Sequence, residues 1–477
     1  GALQFDGDFS KDAAISLVLN ADIDLKGTGL TGLTRDTSTT DAFSVTLDGS
    51  NHTITLPGER VYASGDSHKR LGLIGNAAEL NLSNLRIAGD CQTTVLSGGQ
   101  IYTGIACDVT KNATLEKVIS DFTWTIDGNS GNSRHSGMVT QLSKNYIDVT
   151  YTNCIWSGTI TDNTSADSEI AGFLAHLETG RNKITVKDCT LSGTILRPAS
   201  NGQAQVGGLV ACLNGSNTTL TIDGLTVSTH ITTAKAPQNG WTDSCGGLLG
   251  YGWKNTTATF TGVTINGSTL DTDRNFGGLV YKGSGYWKLT EGNGITFTGS
   301  NQFTGTSDTG TSDNVTPSAL LVSTSYETGL YLEVLHDSFV YHEANVTVNV
   351  GGTDQYFDAL MGKSISDDGQ DSIVSIATAP SSDSAPHRID LERCNTYQTL
   401  LSNTYTNPYT RYDYNLDSFN REGAADAIDT PEKMVLWSVY RRCHSDLKNY
   451  FKRGSGTNIT GDIDLTGYAF YPAPYDG

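Results

Sequence analysis

A glycine followed by two apolar residues, usually preceded by a small one, recurs at nearly even spacing through the middle of this chain. It reads Leu-Gly-Leu-Ile at 71, Thr-Gly-Ile-Ala at 103, Ser-Gly-Met-Val at 136 and Ala-Gly-Phe-Leu at 171. It continues as Gly-Gly-Leu-Val at 207, Gly-Gly-Leu-Leu at 246 and Gly-Gly-Leu-Val at 277. The central glycines, Gly72, Gly104, Gly137, Gly172, Gly208, Gly247 and Gly278, are 32, 33, 35, 36, 39 and 31 residues apart. A period of this kind means stacked units, none of which can bury its apolar face alone.

After each step comes a polar turn and then an alternating strand, whose side chains must point to opposite faces. Aligned, the strands place Leu82, Tyr151, Val186, Ile222 and Phe260 in one inward column. Ser83, Thr114, Thr150, Thr185, Thr221 and Thr259 form an adjacent outward column. Three residues on, Leu85, Val118, Cys154, Cys189, Leu225 and Val263 form a second inward column, and Ile87, Trp156, Leu191, Val227 and Ile265 a third. The alternation breaks once and resumes, which marks a corner between two strands. Stacking such units at about 4.8 Å per coil gives aliphatic ladders inside and hydroxyl ladders outside. Glycine would sit where backbone turns or approaches closely. The expected fold is all-β, a parallel β-helix. Leucine-rich repeats are shorter and carry an Asn ladder, and propellers need antiparallel blades.

The Gly-Gly-Leu-Val step, followed by Asn-Cys-Ile-Trp-Ser-Gly-Thr-Ile at 153–160 or Asp-Cys-Thr-Leu-Ser-Gly-Thr-Ile at 188–195, resembles the GLUG repeat of large bacterial surface proteins. The opening is similar too, with Asp22-Ile23-Asp24-Leu25-Lys26-Gly27 and then the stretch from Val45 to Ile54. The resemblance covers residues 15–300 closely and 300–380 loosely. It implies a right-handed parallel β-helix in an adhesin-like protein, and it accounts for architecture better than for function. Some relatives flank the zinc protease domain of immunoglobulin A1 peptidases. Here His342-Glu343-Ala344-Asn345-Val346 lacks the second His of HExxH, so that activity has no visible site.

Composition fits a narrow core with a wide hydroxyl surface: 53 Gly, 37% hydrophobic and 17% charged residues. The net charge of -20 argues against nucleic acid and anionic membranes as partners. It suits solubility or cation binding. No apolar run long enough to insert in a bilayer is present. Eight cysteines show neither CxxC nor Cys/His spacing, and are too sparse for a disulfide scaffold. Cys154 and Cys189 share a column in adjacent coils, within reach of a disulfide, yet their column neighbours are aliphatic, which favours buried free thiols.

Residues 1–382 are expected to form the β-helix, with the regular array at 71–300. Residues 383–455 read as a helical, Tyr-rich connector after a Ser/Pro-rich stretch, with a small helix at 430–451 capped by Thr430 and Pro431. Gly461-Asp462-Ile463-Asp464-Leu465 repeats the opening, so 456–477 reads as the start of a further β repeat, one unit of a longer tandem protein.

No GxSxG or P-loop occurs. Catalytic residues and cofactors are therefore expected to be absent. β-Helix lyases and hydrolases use paired carboxylates or Asp-bound Ca²⁺. The nearest candidates are Asp22 with Asp24, which share a strand face, and for Ca²⁺ Asp271 with Asp273 and Asp367 with Asp371. All also read as solvated surface. Trp241, Trp253, Tyr281 and Trp287 are candidate loop aromatics for ligand contact, with packing as the plainer role. The Thr column could order ice-like water, but Asn81, Lys187 and Asp223 vary beside it. The expected protein is a non-enzymatic, extracellular or cell-surface segment that binds host or matrix glycan or protein through its loops. A carbohydrate-active β-helix enzyme and an end-to-end self-assembling repeat are the alternatives.

Overall fold

The computed structural model describes residues 14–27, 44–62 and most of 68–305, with separate strands from there to Arg388. All described regular elements are strands; among the described residues there is no helix. One coil shows how the sequence produces the fold. From Gly137 the chain runs through Val139–Leu142, Asp148–Thr152, Ile155–Trp156, Thr159–Asp162 and Ser168–Ala171 to Gly172. The first three strands belong to a 20-stranded sheet, the fourth to a 10-stranded sheet and the fifth to a 7-stranded sheet. Each strand pairs in parallel with its counterparts one coil before and after. The chain is thus a parallel β-solenoid.

The register fixes the columns. Leu47, Leu82, Leu115, Tyr151, Val186, Ile222, Phe260 and Leu289 stack in the core. Leu85 pairs with Val118, and Cys189 with Leu225 and then Val263. Trp156, Leu191, Val227, Ile265 and Phe297 form the third column. All three inward columns expected from the sequence are present and buried. One outward assignment changes. Thr114 pairs with Asn81, and Ser83 pairs with Glu116. Ser83 therefore lies one rung further along the same face, in a different column from the Thr ladder.

Two kinds of corner turn the coil. At the first, Asn84, Lys117, Asn153, Asp188, Gly224 and Gly262 all have positive φ and each immediately precedes the second column. One left-handed residue resets the alternation, which explains the break in the period-2 pattern; Asn, Asp and Gly carry it most readily, as expected for that region. At the second corner lie the repeated glycines, and there the constraint is space. A Cβ on Gly172 would lie 2.5 Å from the Gly208 carbonyl and 2.3 Å from Trp156 Cε3; on Gly208 it would lie 2.3 Å from the Gly247 carbonyl. The Gly172 amide donates to the Gly208 carbonyl at 2.9 Å and that of Gly247 to Gly278 at 3.0 Å. The glycines stack backbone on backbone.

The ladder reaches back to the opening: Ala14–Val18 pairs in parallel with Ser44–Asp48, and Ile23–Asp24 with Thr53–Thr55. At the other end antiparallel pairs enter: Val346–Val350 with Thr353–Gln355, and Phe339–Tyr341 with His387–Arg388. Parallel rungs also continue there, Leu330–Val334 on Gly285–Leu289 and Val346–Val350 on Asn301–Gly305. The helical connector at 383–455, apart from His387–Arg388, and the repeat start at 456–477 lie outside the described residues.

Candidate functional site

The glycine corner folds two strands toward each other and makes a narrow cleft along the solenoid. Side chains enter it from two or three residues before and four after each glycine. These are Arg134 and Gln141 about Gly137, Glu169 and His176 about Gly172, and Gln205 and Cys212 about Gly208. The coil register stacks them into two facing columns. Arg70, Tyr102, Arg134, Glu169 and Gln205 form one. Asn76, Asp108, Gln141, His176, Cys212 and Tyr251 form the other. In a strand facing water these would be exposed. In the cleft Tyr102, Asp108, Gln141, His176, Gln205 and Cys212 are all buried.

Buried charge persists only where it is paired. Arg134 supplies most of the pairing: Nε lies 2.7 Å from Glu169 Oε2, one terminal nitrogen donates to Gln141 Oε1 at 2.7 Å, and the other lies 3.3 Å from Glu178 Oε2. The guanidiniums of Arg134 and Arg70 lie 5.5 and 5.6 Å from the Tyr102 ring centre, a cation–π arrangement on one aromatic. His176 sits between two carboxylates, Nδ1 at 2.7 Å from Glu169 Oε2 and Nε2 at 2.9 Å from Glu178 Oε2. Neither contact has the alignment of a good hydrogen bond, and both ring nitrogens are buried without one.

The electrostatics follow. Burial would lower the His176 imidazole, but Glu169 and its other neighbours overcome that and raise it well above the usual value. Burial would raise Glu169, yet His176 and Arg134 hold it below the ordinary range. The contact with His176 brings Glu178 down to about 2. Burial pushes the Cys212 thiol up, so it is not activated as a nucleophile. At the cleft's other end burial outweighs Arg70 and pushes Asp108 up to about 6.

A second charged cluster lies elsewhere, inside the coil. Asp162 accepts from Arg197 at 2.6 Å and from Ser168 at 2.5 Å, with all three buried. It ties two adjacent coils together with no opening to solvent, and reads as structural.

The residues singled out from sequence fall elsewhere. Asp22 is exposed and accepts from the Thr53 amide at 2.8 Å, with His52 at 3.2 Å, while Asp24 accepts from the Lys26 amide at 3.0 Å. Asp22 is thus tied to the next coil and Asp24 to its own turn, and both carboxylates are exposed, as the solvated-surface reading has it. Asp271 is exposed on the strand Thr269–Thr272. Asp273, Asp367, Asp371, Trp241 and Trp253 lie outside the described residues. Tyr281 and Trp287 are 1% and 0% exposed, which is the packing role and not the loop one. Trp287 pairs with Ala258 in the inward register and packs on Phe260 with ring centres 5.7 Å apart, so it fills core. Cys154 and Cys189 are buried free thiols. Their Sγ atoms donate to the Leu115 carbonyl at 3.3 Å and the Tyr151 carbonyl at 3.6 Å, each in the preceding coil. Contact with Cys189 and burial push the Cys154 thiol up.

The residues of the cleft had a partial signal in the sequence, polar side chains two or three before and four after a glycine, but their burial did not. No family model, curated protein or solved structure matches this chain.

Proposed function

We propose that this chain is a non-enzymatic, extracellular segment of a bacterial cell-surface protein of the GLUG-repeat type, a stiff rod that carries adhesive loops to a host or matrix glycan or protein. One observation carries the reading: the parallel ladder continues from Ala14–Val18 to Leu330–Val334 through successive in-register pairs. Each coil contacts its neighbours, so the scaffold keeps its form while connections between strands vary in length and composition. The stretch between Thr233 and Ser244, which includes Trp241, is the longest between consecutive glycine steps in the regular array. All six cysteines among the described residues are buried, which suits a protein exposed to oxidants. The raised Cys212 thiol beside His176 favours a structural cleft over a nucleophilic one.

The test is binding of the full chain to immobilised glycans and matrix proteins, with and without replacement of residues 235–242 by a Gly/Ser segment. Saturable binding that the replacement weakens at least about tenfold, with unchanged circular dichroism and no product released, is the expected result. Turnover of a glycan would instead establish the carbohydrate-active alternative.

A further inference from the structure

We propose that Glu169, His176 and Cys212 form a binding site for a borderline divalent cation, Zn²⁺ or a close relative, in the cleft at the glycine corner. Their donor atoms, a carboxylate oxygen, an imidazole nitrogen and a thiol sulfur, lie within 4.8 Å of one another. That mixed set suits Zn²⁺ rather than Ca²⁺ or Mg²⁺, which take oxygen alone. Tetrahedral Zn²⁺, with ligands at about 2.0–2.3 Å, needs them roughly 3.5 Å apart. Entry of the cation would open the 2.7 Å contact between Glu169 and His176.

Rigidity comes from the fold. His176 and Cys212 are paired rungs of one sheet, and Glu169 faces them across Gly172. The surroundings resemble a metal ligand shell. His176 Nε2 points toward Glu178 at 2.9 Å, the carboxylate contact that fixes a ligand imidazole, which leaves Nδ1 on the Glu169 side for the cation. Arg134 Nε, 2.7 Å from Glu169 Oε2, orients that carboxylate.

His176 is 3% exposed and held between Glu169 and Glu178, but neither contact has hydrogen-bond alignment, so a cation can replace the one to Glu169. Gln205, paired with Glu169 one coil on and 6% exposed, has an Oε1 without a hydrogen bond. The site has no local spacing motif, since Cys212 lies a full coil beyond His176.

The site does not depend on the adhesive reading. Its test is titration of the reduced, chelator-treated full chain with Co²⁺, read by the thiolate-to-metal charge-transfer band, followed by displacement with Zn²⁺. One equivalent should bind with that band. Cys212→Ala should abolish it and weaken Zn²⁺ binding at least about tenfold, while Cys154→Ala should leave it intact. Glu178→Gln should keep the band but weaken binding roughly 10–100-fold, and it reports independently if Cys212→Ala does not fold. Absence of stoichiometric binding by the wild type, binding without the thiolate band, or a band that survives Cys212→Ala would each overturn the proposal.

Discussion

Asp108 shows how burial and pairing compete at a single residue. It is 1% exposed, its nearest cation, Arg70, is 3.5 Å away, and Oδ1 has no hydrogen bond. Burial prevails, and the carboxyl rises from 3.8 to about 6. Between those two values the folded state binds more protons than the unfolded state, so this group's stabilising contribution falls as pH rises. It is fully present below pH 3.8 and lost above about pH 6. A rise of that size corresponds to about 3 kcal/mol. Asp108→Asn should therefore stabilise the protein by about 1–3 kcal/mol at pH 7.5 and change little near pH 4, measured by urea unfolding across that range. A variant less stable than wild type at pH 7.5 would mean that the Arg70 pair outweighs burial. This environment was not readable from the sequence. Asp108 looks like one more polar residue in a strand until the corner folds its outward face into a cleft. Trp287 was open in the opposite direction: an aromatic near a loop can pack or face solvent until its pairing with Ala258 sets its phase inward.

At the scale of the element, the corners carry the repeat. The inward columns were legible because alternation fixes the face and the aliphatic ladders fix the rung. The rung is less secure on the polar face, where Ser83 and Asn81 both point outward and either could stand below Thr114. Pairing of Val109 with Ala77 but of Asn112 with Glu79 shows an extra residue in the later coil, which shifts that rung. The glycine step was legible as a period; its reason was not. None of Gly72, Gly104, Gly137, Gly172, Gly208 and Gly247 has positive φ, so the requirement is the absence of a Cβ between stacked coils. Gly172→Ala should destabilise by about 1–3 kcal/mol or more through overpacking against Trp156 and the Gly208 carbonyl. Gly267 has φ +69, and a Cβ added there would meet nothing within 4 Å. Gly267→Ala should therefore cost about 1–2 kcal/mol, through backbone strain alone. A Trp156→Phe background separates the two by denaturant midpoints. The smaller ring should relieve part of the Gly172→Ala penalty and none of the Gly267→Ala penalty; equal effects on both would refute the packing account.

At the scale of the molecule, each parallel rung among the described residues joins adjacent coils. If each coil contacts only its neighbours, a whole coil can be removed without loss of fold. Excision of Leu209–Gly247 joins Gly208 to Leu248 and replaces like with like. Leu174 then meets Leu249 in place of Val210, Cys189 meets Val263 in place of Leu225, and Leu191 meets Ile265 in place of Val227. The glycine ladder stays continuous, because Gly278 follows as the next step. The shortened chain should remain soluble with the same far-ultraviolet β signature, and its denaturant m-value should fall roughly in proportion to the surface removed. The same excision takes away Cys212 and places Tyr251 against His176, so the Co²⁺ thiolate band should vanish from a protein that is still folded. An excised chain that is unfolded or aggregated would show that stability depends on contacts beyond adjacent coils. One that folds but keeps the band would place the metal elsewhere. Fold and site thus separate cleanly, because the ladder is specified coil by coil and the donor set by one particular pair of coils.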